Sequence, residues 1–468
     1  VLVARVETGL LPAVLLEGEE PPFWPIEERM EHYRVPAVSV AVLHGGVVAW
    51  AKAYGTADVE TGAPATPQTL FQAASISKPV AALAALSLVE DGLLDLDAPV
   101  NDYLTSWRVP DNELSADSAV TLRHLLTHSA GLTVWGFPGY RKDQPFSDAQ
   151  EVATNVQVLD GEGNTDPVRV YTVPGTSWQY SGGGYTVMEQ MVEDVTGRPF
   201  DEVARERVLK PAGMMRSTYE QPLPRDRWTE AARGYRSDGS EVEGEWHTYP
   251  EQAAAGLWTT PGDLATLSAH LLGILGGTVT DGVLSQAMLE QMLTRNHDGA
   301  EGFSSWGLGF SLGGPGDERT FGHGGSNEGF RATWTVFRDQ GTGFAVMTNG
   351  DRGSSLATEI GRAIAAVYEW RGWQPETRAR IRPDSAVYAA LSGEYRIEGL
   401  GDFTITLRPG PDGTLAIDVP GQGTMTFHAA SADEWFETAD GDVMVIERDE
   451  AGNVTRAVVD GQTVLIPR

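Results

Sequence analysis

Ser75-Ile76-Ser77-Lys78 places a hydroxyl and an amine three residues apart. On a helix that spacing puts both on one face. A serine hydroxyl is a weak nucleophile until a base takes its proton. Lys78 can be that base if its pKa is depressed, or it can hold a neighbouring phenolate. Ser75 also falls at the predicted start of a helix, where unpaired N–H groups favour developing negative charge. The pair is short and recurs on ordinary helix surfaces, so its surroundings decide its meaning. Within FQAASISKP, residues 71–79, it is set among small apolar residues, an unusual place for an exposed lysine.

Two further segments carry chemistry. In PGTSWQYSGGGY, residues 174–185, Tyr180 precedes three glycines that permit close backbone approach and lead into a helix. In FGHGGS, residues 321–326, His323 precedes Gly324 and Gly325, which would let a substrate lie against the backbone just before a strand. Other patterns are weaker. GFSLG, residues 309–313, fits the G-x-S-x-G elbow, but that motif must join a strand to a helix, and Ser311 is followed by GGPG, which cannot begin one. His124 and His128 have the i, i+4 spacing of a metal pair on a helix, yet no glutamate completes a His-Glu-x-x-His set, so both read as structural or cleft-wall residues. Trp135, Phe137 and Tyr140 are candidates to line an acyl pocket. No metal site and no cofactor are expected.

The elements that must position these groups can be read from periodicity. Residues 37–44 and 47–54 are apolar, β-branched runs around Gly45-Gly46, a hairpin signal. From Ser75 to Asp91 apolar residues recur at helical spacing, Pro79 is tolerated near the first turn, and Gly92 supplies a stop. Residues 95–320 are mostly helical segments and long loops, with helices over Val187–Val195 and Pro261–Leu275. Strands return at 332–337 and 343–347, and a helix follows over 355–370. A helical middle enclosed by early and late strands predicts an α+β domain whose sheet is assembled from both ends of the chain. The polar, proline-containing stretch 374–386 reads as a linker between a catalytic domain at 1–373 and a second domain at 387–468. There, short alternating segments at 403–408, 414–419, 424–428, 443–448 and 463–466 predict a small antiparallel barrel.

Composition narrows the function. A formal charge of −31 over 468 residues argues against a nucleic-acid partner, which would be repelled over most approaches. The absence of cysteine excludes disulfides, thiolate metal sites and a cysteine nucleophile. No apolar run is long enough to span a bilayer, and the first residues lack the basic start and apolar core of a signal peptide.

Together, S-x-x-K at 75–78, Tyr180 where a Y-x-N motif would begin, and H-x-G at 323–325 resemble the serine β-lactamase-like and penicillin-binding-protein-like superfamily. The likeness is closest to its class C β-lactamase, D-aminopeptidase and family VIII esterase branch. TLRHLLTHSAGL at 121–132 and AAAGLWTTPGDL at 253–264 extend it to about residues 25–372. The resemblance implies Ser75 as nucleophile, Lys78 and Tyr180 sharing general-base duty, His323 in the third motif, and backbone N–H groups of Ser75 and Ser326 as the oxyanion hole. It implies substrate contacts at Gly182, Gly324, Gly325 and Trp135, and a periplasmic or secreted setting. The segment from about Leu391 is similar to lipocalin-like barrels appended to some of these proteins. One position departs: Gly182 stands where the family has the Asn of Y-x-N, which shifts weight from β-lactams toward esters or a peptide bound differently. The implied activity is hydrolysis of a small ester, amide or short peptide through an acyl-enzyme. The alternatives are a D-amino-acid-specific peptidase or peptide cyclase, then a β-lactamase or a non-catalytic binding protein.

Overall fold

A computed structural model describes residues 1–147, 150, 152–297, 305–399, 403–420 and 423–468. They form two compact units, Glu27–Thr358 and Val1–Ile26 with Glu359–Arg468.

In the larger unit, the early hairpin Ala37–His44 and Val47–Asp58 joins the late strands into one antiparallel, eight-stranded sheet. Its order is Ala63–Pro64, Val47–Asp58, Ala37–His44, Thr342–Thr348, Phe330–Phe337, Thr320–Asn327, Ser311–Gly313 and Ser305–Trp306. Ala37–His44 is buried through Leu43, as expected of a central strand covered on both faces. Helix Pro261–Leu275 packs on this sheet, and Trp334 Nε1 donates to Ser268 Oγ at 2.8 Å across that contact. FGHGGS lies inside the strand Thr320–Asn327, not in a loop ahead of one. Its three glycines mask a strand in the sequence, and ladder pairing with Phe330–Phe337 overrides that weak propensity.

The helical middle is built around Ser77–Glu90, buried from Ser77 to Leu88. A helix apolar on every side is a core helix. No helix among the described residues is long and apolar enough to cross a membrane.

In the smaller unit, eight antiparallel strands from Gly393–Ile397 to Thr463–Pro467 close into a barrel. Five match the predicted segments; Gly393–Ile397, Glu434–Glu437 and Val454–Val459 complete the closure. Its interior is a packed core that includes Leu407, Ile417, Phe427, Trp435 and Met444. Within the stretch read as a linker, Glu376–Arg378 pairs in parallel with Val14–Leu16.

Candidate active site

Ser75 sits in a single 3-10 turn, Ala74–Ile76, that runs into the buried helix Ser77–Glu90. It is the one residue from Thr69 to Leu88 that is not fully buried. Ala74, immediately before it, has φ +50, a left-handed conformation that costs an alanine ~1–2 kcal/mol. The turn is braced through Ser77: its Oγ donates to Ala74 O at 2.5 Å and accepts from Leu257 N–H at 2.9 Å, and Tyr219 Oη donates to its carbonyl at 2.6 Å. The sequence offered Ser77 only as a spacer.

Lys78 Nζ lies 3.0 Å from Ser75 Oγ and donates to Ala254 O at 2.8 Å. The amine is walled by the rings of Tyr180 and Tyr185, with centroids 5.0 and 5.7 Å away. Burial without a compensating carboxylate pushes its pKa down to about 7. Two buried acids of this unit, Glu251 and Glu189, do not supply that charge. Burial raises Glu251 to about 8 and holds Glu189 well above the usual carboxylate range. Glu189 nevertheless accepts from Ala253 N–H at 2.7 Å, fixing the short helix Gln252–Ala255 whose Ala254 carbonyl holds Lys78. The AAAG segment at 253–256 was thus a legible signal for a part of the site, although its role was not.

Tyr180 precedes the helix Gly182–Thr196, whose N-cap Ser181 accepts from Gly184 N–H. Burial pushes its phenol pKa up, opposed by a hydrogen bond with Ser75. His128 holds it in place. The helix expected to carry both His124 and His128 ends at Leu126, and His128 lies beyond it at φ +56. There its carbonyl accepts from Gln179 N–H at 2.6 Å, its Nδ1 accepts from Ser181 N–H at 3.1 Å, and its ring stacks on Tyr180 at 4.2 Å. The two histidines therefore form no metal pair. His128 is a positioning residue whose left-handed backbone is maintained by these contacts.

His323 is buried, its ring 6.1 Å from Tyr180 and 5.5 Å from Trp306. Its Nδ1–H donates to Gly324 O at 2.5 Å, leaving the Nε2 lone pair without a partner among the described residues. Burial first, then the nearby Lys78, lowers its pKa to about 3. The imidazole is neutral, so no cation stands at this position. Gly324 is exposed, as is Ser326.

Gly325 lies directly against the turn that carries Ser75: a Cβ there would stand 2.2 Å from Ala73 O. Backbone cannot yield that distance locally, so Gly325→Ala is expected to displace the strand from Ser75 and lower kcat/KM by about 100-fold, since a shift of ~1 Å has that effect on aligned groups. Retained activity in a folded variant, checked by circular dichroism, would remove this role.

Gly182 does not face open space. A Cβ there would meet the Phe137 ring at 2.9 Å and Trp135 O at 3.1 Å. Trp135 lies beside Tyr180 at 5.4 Å and lines a cleft of about 900 Å³ with Tyr180, Gln179 and Tyr171. Tyr140 Oη accepts from Asn164 N–H at 3.3 Å. Ser311 sits in the strand next to the sheet edge, paired with Gly322, and not on a strand-to-helix turn.

The family model described as Beta-lactamase matches residues 26–369. Esterase EstB of Burkholderia gladioli is 35% identical over 189 residues, 39% of this chain and 47% of its own, so the match spans about half of that relative. Penicillin-binding protein 4 of Amycolatopsis lactamdurans is 28% identical over 386 residues, 79% of this chain and 95% of its own. The octameric penicillin-binding protein homologue from Pyrococcus abyssi shares the fold, with a TM-score of 0.63 at 22% identity over 94% of this chain and 98% of that one. With the match extending over the whole unit that brings Ser75, Lys78, Tyr180 and His323 together, the chain belongs to the Beta-lactamase family.

Proposed function

We propose that this protein hydrolyses small carboxylic esters through an acyl-Ser75 intermediate. The observation that carries the preference for esters is the filled space at Gly182. The Asn of Y-x-N has no counterpart here, and Phe137 occupies the place its side chain would enter. A β-lactam or peptide would lose the partner for its amide, which costs about 1–3 kcal/mol when the group is left buried and unpaired. A neutral His323 likewise offers no charge to a substrate carboxylate. A simple ester needs neither contact.

In this reading Lys78 is the first base. A neutral amine can donate one N–H to Ala254 O while its lone pair receives the Ser75 proton across 3.0 Å. Ser75 Oγ then attacks the carbonyl carbon, and the backbone N–H groups of Ser75 and Ser326 hold the oxyanion that appears only in the transition state. The ammonium returns the proton to the departing alcohol oxygen, with the neutral Tyr180 phenol bonded beside it. Water repeats the sequence on the acyl-enzyme and releases the acid.

The test compares kcat/KM for p-nitrophenyl butyrate, a chromogenic cephalosporin and a D-aminoacyl p-nitroanilide on one preparation. The ester is expected to lead by about 100-fold or more. Gly182→Asn alone is expected not to recruit the cephalosporin, because its Cβ meets Phe137. A cephalosporin turned over faster than the ester would overturn the reading, and a faster anilide would favour the D-peptidase alternative.

A further inference from the structure

Trp135 is 71% exposed, although a large apolar ring gains most from burial. The backbone presenting it is strained and tightly held. Val134, the residue before it, has φ +67, a conformation β-branched residues avoid. Its carbonyl accepts from Gly183 N–H at 3.0 Å and Ser181 Oγ at 3.3 Å, and the Trp135 carbonyl accepts from Gly182 N–H at 3.0 Å. These bonds tie the loop to the start of the helix that follows Tyr180. Strain maintained by several bonds, with an indole held in solvent as its result, is characteristic of a residue that meets a ligand.

The indole is tilted 47° to the Tyr180 ring, and Leu132, Val134 and Tyr171 add apolar wall to the same cleft. Among the described residues that line it, the one carboxylate is Asp166 and there is no cation. We infer that Trp135 and Tyr180 wall a specificity subsite for one planar aromatic group of the substrate, neutral or cationic, and that the subsite turns away groups carrying negative charge. This rests on the ester reading above and adds the group the ester carries. A flat ring stacks on the indole with a gain beyond its area. A carboxylate would be dehydrated with no cation to meet it.

Two readouts on the full chain test this. Boronic acids form tetrahedral adducts with an activated serine, so competition of phenethylboronic or n-butylboronic acid against fluorophosphonate labelling of Ser75 reads the subsite without turnover. Hydrolysis of methyl phenylacetate, benzyl acetate, methyl butyrate and para-carboxylated methyl phenylacetate reads it with turnover, and shows whether the ring belongs to the acyl or the alcohol side. The wild type is expected to favour the aryl boronic acid, and one of the neutral aryl esters, by about ten-fold or more over the alkyl and the carboxylated ligands. Trp135→Ala is expected to erase those ratios by weakening the aryl ligands about ten-fold or more against a smaller loss for methyl butyrate, and Trp135→Phe to keep them. Equal treatment of aryl and alkyl ligands by the wild type would overturn the subsite. So would a Trp135→Ala loss shared evenly by every ligand, as a merely structural role would give. Aryl preference among the boronic acids with no ester hydrolysed would support the subsite and sink the ester reading.

Discussion

Ser75→Ala is expected to lower kcat/KM for p-nitrophenyl butyrate by about four to six orders of magnitude and to abolish fluorophosphonate labelling, whereas Ser311→Ala leaves both within about two-fold. The two serines differ in what surrounds the hydroxyl as well as in motif context. Ser75 Oγ has an amine at 3.0 Å whose pKa lies near neutrality, a tyrosine in hydrogen-bond contact, and the only partial exposure in a buried stretch. Ser311 lies in a strand opposite Gly322, with a backbone ladder on either side and no base bonded to its hydroxyl among the described residues. Ser77, two residues from Ser75, is the sharper control. Its hydroxyl is fully buried and already committed to Ala74 O and Leu257 N–H, so Ser77→Ala should weaken the turn without removing the label. Labelling that persists in Ser75→Ala, or disappears in Ser311→Ala while Ser75 stays reactive, would overturn the assignment.

Much of this site was legible because its chemistry is local in sequence. Ser75 and Lys78 lie one turn apart on an apolar helix, and their separation survives folding almost unchanged. The hairpin at 37–54 and the helix Pro261–Leu275 were legible for a similar reason, since periodicity and turn residues are written within each segment. The parts that were not legible depend on partners distant in the chain. The strand through His323 exists because Phe330–Phe337 pairs with it, against the propensity of its glycines. His128 reads in the sequence as a structural or cleft-wall residue on a helix with His124, but the helix ends at Leu126 and the ring stacks on Tyr180, 52 residues away in sequence. Gly182 reads as a missing amide, and the sequence carries no sign that the Phe137 ring stands against it. Ala254, which fixes the Lys78 amine, contributes only a backbone carbonyl, a group every residue carries.

The pH dependence separates the two candidate bases. Lys78 must be neutral to accept the Ser75 proton, and burial has brought its pKa to about 7. The kcat/KM of the free enzyme is therefore expected to rise about ten-fold per pH unit below that value and to level off above it. Burial pushes the Tyr180 phenol the opposite way, so a tyrosine acting as the first base would give no limb near neutrality. Tyr180→Phe should thus lower the plateau yet keep the limb. Lys78→Arg should lose both, since a guanidinium does not deprotonate in this range; the loss is expected to be about 100- to 10,000-fold at pH 8. Stability supplies a second readout with a fixed sign. In the unfolded chain Lys78 binds its proton up to about pH 10.4, whereas in the folded chain it releases it near 7. Between these values the unfolded state holds more protons, so stability rises with pH. The cost of burying the ammonium is complete below about pH 7 and disappears as pH passes the unfolded value. Lys78→Met removes that cost, so the inactive variant is expected to melt higher than the wild type at pH 6, with the gap closing as the pH is raised toward 10. A wild-type activity profile flat from pH 5 to 9, or a Tyr180→Phe variant that loses the limb near 7, would assign the first proton transfer to a group other than Lys78.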